Sequence, residues 1–133
     1  MMTVKVKVGD SSIHGTGIFA AEPILKGRVV WMLSPAVDRV LTDYAVKYAE
    51  SRAQEFIRQR GYLNPTRPQW VICADEAQYW NFPRNGDEAN TYMGDEIDGQ
   101  KIVLAARDIA VGEELTIPPE SDGDYARKME QRK

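Results

Sequence analysis

The stretch best suited to chemistry is His14-Gly15-Thr16-Gly17, which sets two glycines ahead of the apolar run Ile18-Phe19-Ala20. Glycine lacks a Cβ, so backbone can approach a ligand closely and leave amide N–H groups to donate to a carboxylate. The same spacing also makes a tight β-turn that binds nothing, so the loop needs partners from elsewhere in the chain. His14 is the only histidine, and any Ser-His-Asp or histidine–metal mechanism would have to use it. Inside a glycine loop it reads as a ligand neighbour rather than a general base. Cys73 is the only cysteine, which excludes an internal disulfide and a cysteine-cluster zinc site. Its apolar setting, Trp70-Val71-Ile72-Cys73-Ala74, predicts a buried, inert thiol.

Other clusters carry less. Asp87-Glu88, Asp95-Glu96 and Glu113-Glu114 are adjacent acidic pairs. Neighbours on a strand point to opposite faces, and in loops they are solvated, so none reads as a catalytic dyad. Asp95 to Asp98 lacks the alternating oxygens and terminal glutamate of a calcium loop. No metal site is expected, and there is no Walker loop or extended dinucleotide fingerprint. Tyr44 and Tyr48 stand at helical spacing and are expected in the core rather than in a substrate cage.

Many short strands must position the loop. Val4, Val6 and Val8 alternate with Lys5 and Lys7, which predicts a half-buried edge strand over 3–8. Gly17-Ile18-Phe19-Ala20 returns as a second strand. Arg28 to Leu33 is apolar on both faces and is expected to be central. Thr42 to Arg60 changes to a helical period, with Thr42 capping its start and Gly61 its end. Trp70 to Cys73, Thr91 to Met93 and Lys101 to Ala106 read as strands, and Asp98-Gly99 as a hairpin turn. Asp75 to Asn90 reads as a long irregular loop, a place where function is often found. Glu120 to Lys133 is almost wholly polar and is expected to form a frayed helix or solvated tail.

One internal echo bears on the architecture. Ala20-Ala21-Glu22-Pro23-Ile24-Leu25-Lys26-Gly27-Arg28-Val29-Val30 repeats in register as Ala105-Ala106-Arg107-Asp108-Ile109-Ala110-Val111-Gly112-Glu113-Glu114-Leu115. Two alanines, an isoleucine, a glycine three further on and an apolar residue recur. Both copies are expected to be the same β-turn-β unit, paired pseudo-symmetrically by the fold.

Length and composition fit one soluble globular domain: 133 residues, 43% hydrophobic and 28% charged. The formal net charge of -3 argues against a nucleic-acid binder, because phosphate binding is dominated by lysine and arginine. No apolar run reaches the length of a membrane span, and the N-terminus lacks the apolar core of a secretory signal. A cytoplasmic, membrane-free protein of undetermined oligomeric state is the default expectation.

The quoted residues resemble the SET domain, the fold of most protein lysine methyltransferases. The matching pieces are His14 to Ala20, Ile24 to Val30, and Ala106-Arg107-Asp108-Ile109-Ala110-Val111-Gly112-Glu113-Glu114-Leu115-Thr116. The resemblance implies a mainly β, β-clip architecture of several short sheets, with a C-terminal segment crossing near the ligand pocket. It implies a domain over 3–119 with a helical insert at about 36–69, and a polar tail over 120–133. It implies S-adenosylmethionine as cofactor and methyl transfer to the lysine of a protein or peptide. His14, Gly15, Thr16 and Gly17 would border the cofactor, with Asn81 as its polar clamp and Asn85 as the alternative. Asn90 would support the loop crossing, Phe82-Pro83 replaces the family's His-Ser, and Tyr125 would line the methyl-transfer channel because Pro119 stands where the family has tyrosine. Those two departures leave a non-catalytic SET-like protein, or a β-clip interaction or small-ligand module, as alternative readings.

Overall fold

A computed structural model describes residues 1–132. Eight short strands form three small sheets. Strands β1 (Val6–Asp10) and β2 (Thr16–Ala20) make an antiparallel hairpin. Strands β3 (Val29–Met32), β7 (Thr91–Met93) and β8 (Ile102–Ala105) form a sheet of order β3-β8-β7. Strands β4 (Arg39–Thr42), β5 (Tyr62–Leu63) and β6 (Gln69–Ile72) form a third, of order β4-β6-β5. The mainly β expectation is met, and β1 is the edge strand its lysines suggest. Only Val4 of its valines is fully buried, because pairing starts at Val6 and leaves Val8 exposed.

β3 sits at the end of its ladder, but Thr3 N–H donates to the Val30 carbonyl at 2.9 Å and Met32 N–H to the Met1 carbonyl at 3.1 Å. The extreme N-terminus therefore flanks it. The β3–β8 register shifts between Val29 and Trp31, and this bulge lets both Val30 and Trp31 bury, where a regular strand would turn neighbours to opposite faces. Asp98 and Gly99 both take positive φ, 49° and 75°, the geometry that an Asp-Gly hairpin turn requires.

The insert departs from the single helix its periodicity predicts. Helix α1 (Asp43–Lys47) ends, and α2 (Ser51–Arg60) begins a new phase. Thr42 caps α1 through the Ala45 N–H, and Gln54 Nε2 donates to the terminal carbonyls of Val46 and Lys47. The phase reset buries Val46 and leaves Tyr44 and Tyr48 73% and 70% exposed, their rings 4.7 Å apart. That corrects their assignment to the core. Val46, Ile57 and Trp70 form a second small core under the insert.

The C-terminal segment is not the solvated tail its polarity predicts. A 3-10 turn (Pro119–Ser121) leads to helix α3 (Tyr125–Gln131), which packs Tyr125 and Met129 against the main core. Asp122 is buried and forms an ion pair with Lys128. Asp122 Oδ1 also accepts from the Leu63 N–H at 3.0 Å, and Lys128 Nζ donates to the Gly61 carbonyl at 2.6 Å. A polar sequence buries here because its charges pair and its remaining lone pairs are used.

The two repeated units bond to each other reciprocally. Ile24 N–H donates to Ile109 O at 3.0 Å and Ile109 N–H to Ile24 O at 2.8 Å. Gly27 N–H donates to Ala105 O, and its counterpart Gly112 N–H to Ala20 O, each at 2.8 Å. Ala105 N–H donates to Arg28 O, and Ala20 N–H to Glu113 O, each at 2.9 Å. Both turn glycines have φ of 86°. The pseudo-symmetry extends to charge with the signs exchanged: Glu22 pairs with Arg28, and Arg107 with Glu113, each at matched positions. Both carboxyls are held below their ordinary range, Glu22 first by the Lys5 N–H and then by Arg28, Glu113 first by Arg107. A carboxyl depressed in the folded state stabilises it above the unfolded pKa and loses that contribution as pH falls through the lowered value. Because either polarity serves this geometry, Glu22→Arg combined with Arg28→Glu is expected to recover the melting temperature that Glu22→Arg alone loses. Equal losses in the single and double variants would remove the symmetric-pair account.

Candidate functional site

The glycine loop closes the β1–β2 hairpin. Ser11 N–H donates to the Gly15 carbonyl at 2.8 Å, and Gly15 takes φ of 49°. The Asn81 carboxamide nitrogen gathers the loop, donating to the carbonyls of His14 (3.0 Å) and Thr16 (3.1 Å) and to Glu114 Oε2 (2.9 Å). Glu114 in turn accepts from Ser11 Oγ at 2.7 and 2.9 Å, and Arg84 Nη2 donates to the Ser12 carbonyl at 2.6 Å. The carbonyls of Ser12, His14, Gly15 and Thr16 are thus engaged by protein donors. The loop offers a ligand its N–H groups and the Cβ-free surface of Gly15, around whose Cβ position nothing lies within 4 Å.

Asn81 is itself placed by the crossing C-terminal segment. Residues 113–117 run between Asn81 and Asn90 and bond to both. Ile117 N–H donates to the Asn81 carbonyl at 3.0 Å, beside a parallel Asn81–Thr116 bridge. The buried Asn90 side chain donates to the Glu114 carbonyl at 2.8 Å and accepts from the Thr116 N–H at 2.9 Å.

A cavity of about 500 Å³ opens beside this hub. His14, Gly15, Thr16, Asn81 and Phe82 share its wall, so the structure brings together five residues chosen from the sequence. Three others stand outside that wall. Gly17 faces the protein: a Cβ there would lie 2.4 Å from Glu114 Oε2 and 3.1 Å from the Ser11 Cβ. Its missing side chain makes room for the Glu114 carboxylate, not for a ligand. Asn90 ties the crossing segment. Tyr125 lies behind Phe82, edge-on with ring centroids 4.8 Å apart. Asn85 is exposed, and Asn81 is the asparagine at the loop.

The sequence reading missed the cavity floor. Trp31, Tyr62, Cys73, Val103, Ile117 and Ser121 form it. Burial pushes the Tyr62 hydroxyl well above its ordinary 10, so it stays a neutral phenol, and burial pushes the Cys73 thiol up to about 12. The Trp31 indole N–H lies beside the Cys73 sulfur, outside good hydrogen-bond geometry, and the Trp80 indole N–H is likewise buried without a partner. Orphaned donors on the wall of an aromatic cavity fit a ligand that carries both π surface and acceptor atoms. Burial, and then the Arg132 guanidinium, pull the His14 imidazole below its ordinary 6.5. Signals for these residues existed: Glu114 follows the second turn glycine, and Tyr62 follows the helix-ending Gly61. Neither announces a cavity without the tertiary fold.

Among the described residues no cluster of histidine, cysteine and acidic side chains can hold a metal ion, and no helix is long and apolar enough to cross a membrane.

Comparison with known proteins bears on the same region. The family model described as the SET domain matches residues 15–118, from the glycine loop to the crossing segment. No curated protein sequence matches the chain. Solved structures share the fold. A candidate histone methyltransferase of Plasmodium falciparum is 19% identical with a TM-score of 0.60, over 88% of this chain and 94% of that one. The Neurospora SET domain protein DIM-5, a histone lysine methyltransferase, is 19% identical with a TM-score of 0.62, over 88% of this chain and 52% of that one. Polycomb Repressive Complex 2 of Chaetomium thermophilum, bound to S-adenosylmethionine in an autoinhibited conformation, is 21% identical with a TM-score of 0.64. That match covers 97% of this chain and only 17% of the other. At these identities the likeness concerns the fold.

Proposed function

The chain belongs to the SET-domain family, and from that membership we propose that it is an S-adenosylmethionine-dependent methyltransferase acting on the lysine amine of a polypeptide. The observation that carries the reading is the convergence of His14, Gly15, Thr16, Asn81 and Phe82 on one cavity, with the glycine loop fixed by Asn81 and Glu114. The cofactor, when bound, supplies an electrophilic methyl group on a sulfonium. The glycine-loop N–H groups hold a carboxylate, and Tyr79, Trp80 and Phe82 give the aromatic wall for a nucleobase.

The attacking lysine must be neutral. The one acid on the cavity wall is Asp122, already paired with Lys128, so no side chain there acts as general base. The aromatic walls exclude water and favour the uncharged amine, whose proton leaves to solvent before transfer. Alignment then does most of the work. We place the phenol that orients the amine at Tyr62, on the floor, rather than at Tyr125 behind Phe82. Pro119 in the family's tyrosine position does not remove the function, because another hydroxyl occupies the cavity.

Calorimetric titration with S-adenosylhomocysteine tests the reading. Saturation at about 100 times Kd is expected to add about 2.7 kcal/mol of stability, a rise in melting temperature of several degrees. Asn81→Ala is expected to weaken binding about tenfold or more, because the His14 and Thr16 carbonyls lose their common donor and the loop reorients. No heat and no thermal shift at millimolar ligand would sink the proposal.

A further inference from the structure

The cavity mouth is cationic in a chain that is acidic overall. Arg58 and Arg60, at the end of α2, stand on one side, and Arg132, just past α3, on another. Lys128 is neutralised by Asp122, the one acid on the wall. Among the described residues Arg58, Arg60 and Arg132 form no ion pair. The Arg60 guanidinium lies 5.7 Å from the centre of the Tyr79 ring, which seats it at the wall rather than in bulk solvent. Arg132 is close enough to the glycine loop to act on His14 electrostatically. The chain's formal charge of -3 makes this a local arrangement, not a general basicity.

Loading the cofactor does not cancel it, since S-adenosylmethionine brings two positive groups and one carboxylate. A lysine with basic flanks would carry further cations into a mouth already in positive excess. Clefts lined by one sign of charge favour the opposite sign in both encounter and docking.

Resting on the methyltransferase reading, we propose that the polypeptide recognised at this mouth presents its lysine between acidic residues, whose carboxylates pair with Arg58, Arg60 and Arg132. Guanidinium suits this because it meets carboxylate with two parallel hydrogen bonds. Stretches rich in aspartate and glutamate around a single lysine are the substrate class, and basic tails are rejected by like charge.

Fluorescence anisotropy tests it on protein with and without saturating S-adenosylhomocysteine. The probes are labelled peptides with one lysine flanked by aspartate and glutamate, the same lysine flanked by arginine, and an oligouridylate. The acidic peptide is expected to bind about tenfold tighter than the basic one at low salt, with the advantage shrinking toward about 0.5 M salt. The double variant Arg58→Glu, Arg60→Glu is expected to invert the order. If it fails to fold, Arg60→Gln is expected to reduce the advantage at least twofold. Equal or tighter binding of the basic peptide overturns the proposal. So does tighter binding of the oligouridylate, or an order unchanged in the arginine variants. Absence of S-adenosylhomocysteine binding counts against the cofactor reading alone, because the peptide order is measured without it as well.

Discussion

Replacing Asn90 with alanine is expected to cost about 3 kcal/mol of folding stability, because each buried polar group left unpaired costs about 1–3 kcal/mol. The side chain is 3% exposed and closes four hydrogen bonds. It donates to the Glu114 carbonyl and to Glu113 Oε2, and accepts from the Thr116 N–H and hydroxyl. Alanine orphans the Thr116 N–H and the Glu114 carbonyl, both in the segment that threads past Asn81. The gap left by a carboxamide gives water little room to replace both. Urea denaturation should move to lower midpoint with an unchanged slope. A loss below about 1 kcal/mol, on the same scale, would mean that the crossing segment is held by its backbone pairing alone. S-adenosylhomocysteine affinity should fall less than in Asn81→Ala, since Asn90 reaches the loop only through the crossing segment.

The architecture was legible where local chemistry and pairing agree. The repeated unit is the clearest case. Positive φ at Gly27 and Gly112, and apolar Ile24 and Ile109 facing each other, are demands that a sequence must meet twice. The copies therefore kept their spacing even where Glu22 and Arg28 exchanged signs with Arg107 and Glu113. The insert was less legible. Periodicity across 42–60 is continuous in sequence, but Gln54 caps α1 from within α2 and resets the phase. No periodicity count registers a side chain that terminates the preceding helix. The C-terminal segment failed for a related reason. Hydropathy scores Asp122 and Lys128 as solvent-seeking, whereas paired and hydrogen-bonded they bury over Gly61 and Leu63.

The site was legible in its loop and opaque in its floor. His14 to Thr16 and Asn81 are neighbours in space because one carboxamide bonds two loop carbonyls, and the family resemblance supplied that pairing. Gly17 was assigned to ligand approach, yet the atom that needs its space is Glu114 Oε2. Glycine says only that something comes close; the fold says what. Glu113-Glu114 was read as an ordinary solvated pair, and both members turn out to bind asparagines, Glu113 with Asn90 and Glu114 with Asn81. Alternation on an extended segment separates adjacent carboxylates. That correctly argued against a dyad and concealed two distinct anchoring roles.

Tyr62→Phe is expected to lower the rate of methyl transfer about 100-fold, in line with the loss of one positioned polar group at a reacting centre. S-adenosylhomocysteine affinity should stay within about twofold, since ligand contacts are expected to run through the glycine loop and Asn81. The change removes one oxygen from a half-buried ring that keeps its edge contact with Trp31, with centroids 6.3 Å apart, so folding should tolerate it. The hydroxyl is the only part that differs, and burial keeps it protonated through the neutral range. It can therefore accept from an ammonium and donate to the neutral amine without itself ionising. Tyr125→Phe is the matched control. Its ring packs on Phe82 outside the cavity, and loss of its hydroxyl should change the rate by less than about twofold if only surface solvation is altered. Single-turnover rates at saturating cofactor separate the two, because binding then drops out of the comparison. A Tyr62→Phe rate equal to the parent, together with a large loss in Tyr125→Phe, would require the C-terminal helix to swing Tyr125 into the cavity. It would have to break the Asp122–Lys128 pair and the Lys128–Gly61 bond to do so, and that cost is why the floor tyrosine is the expected one.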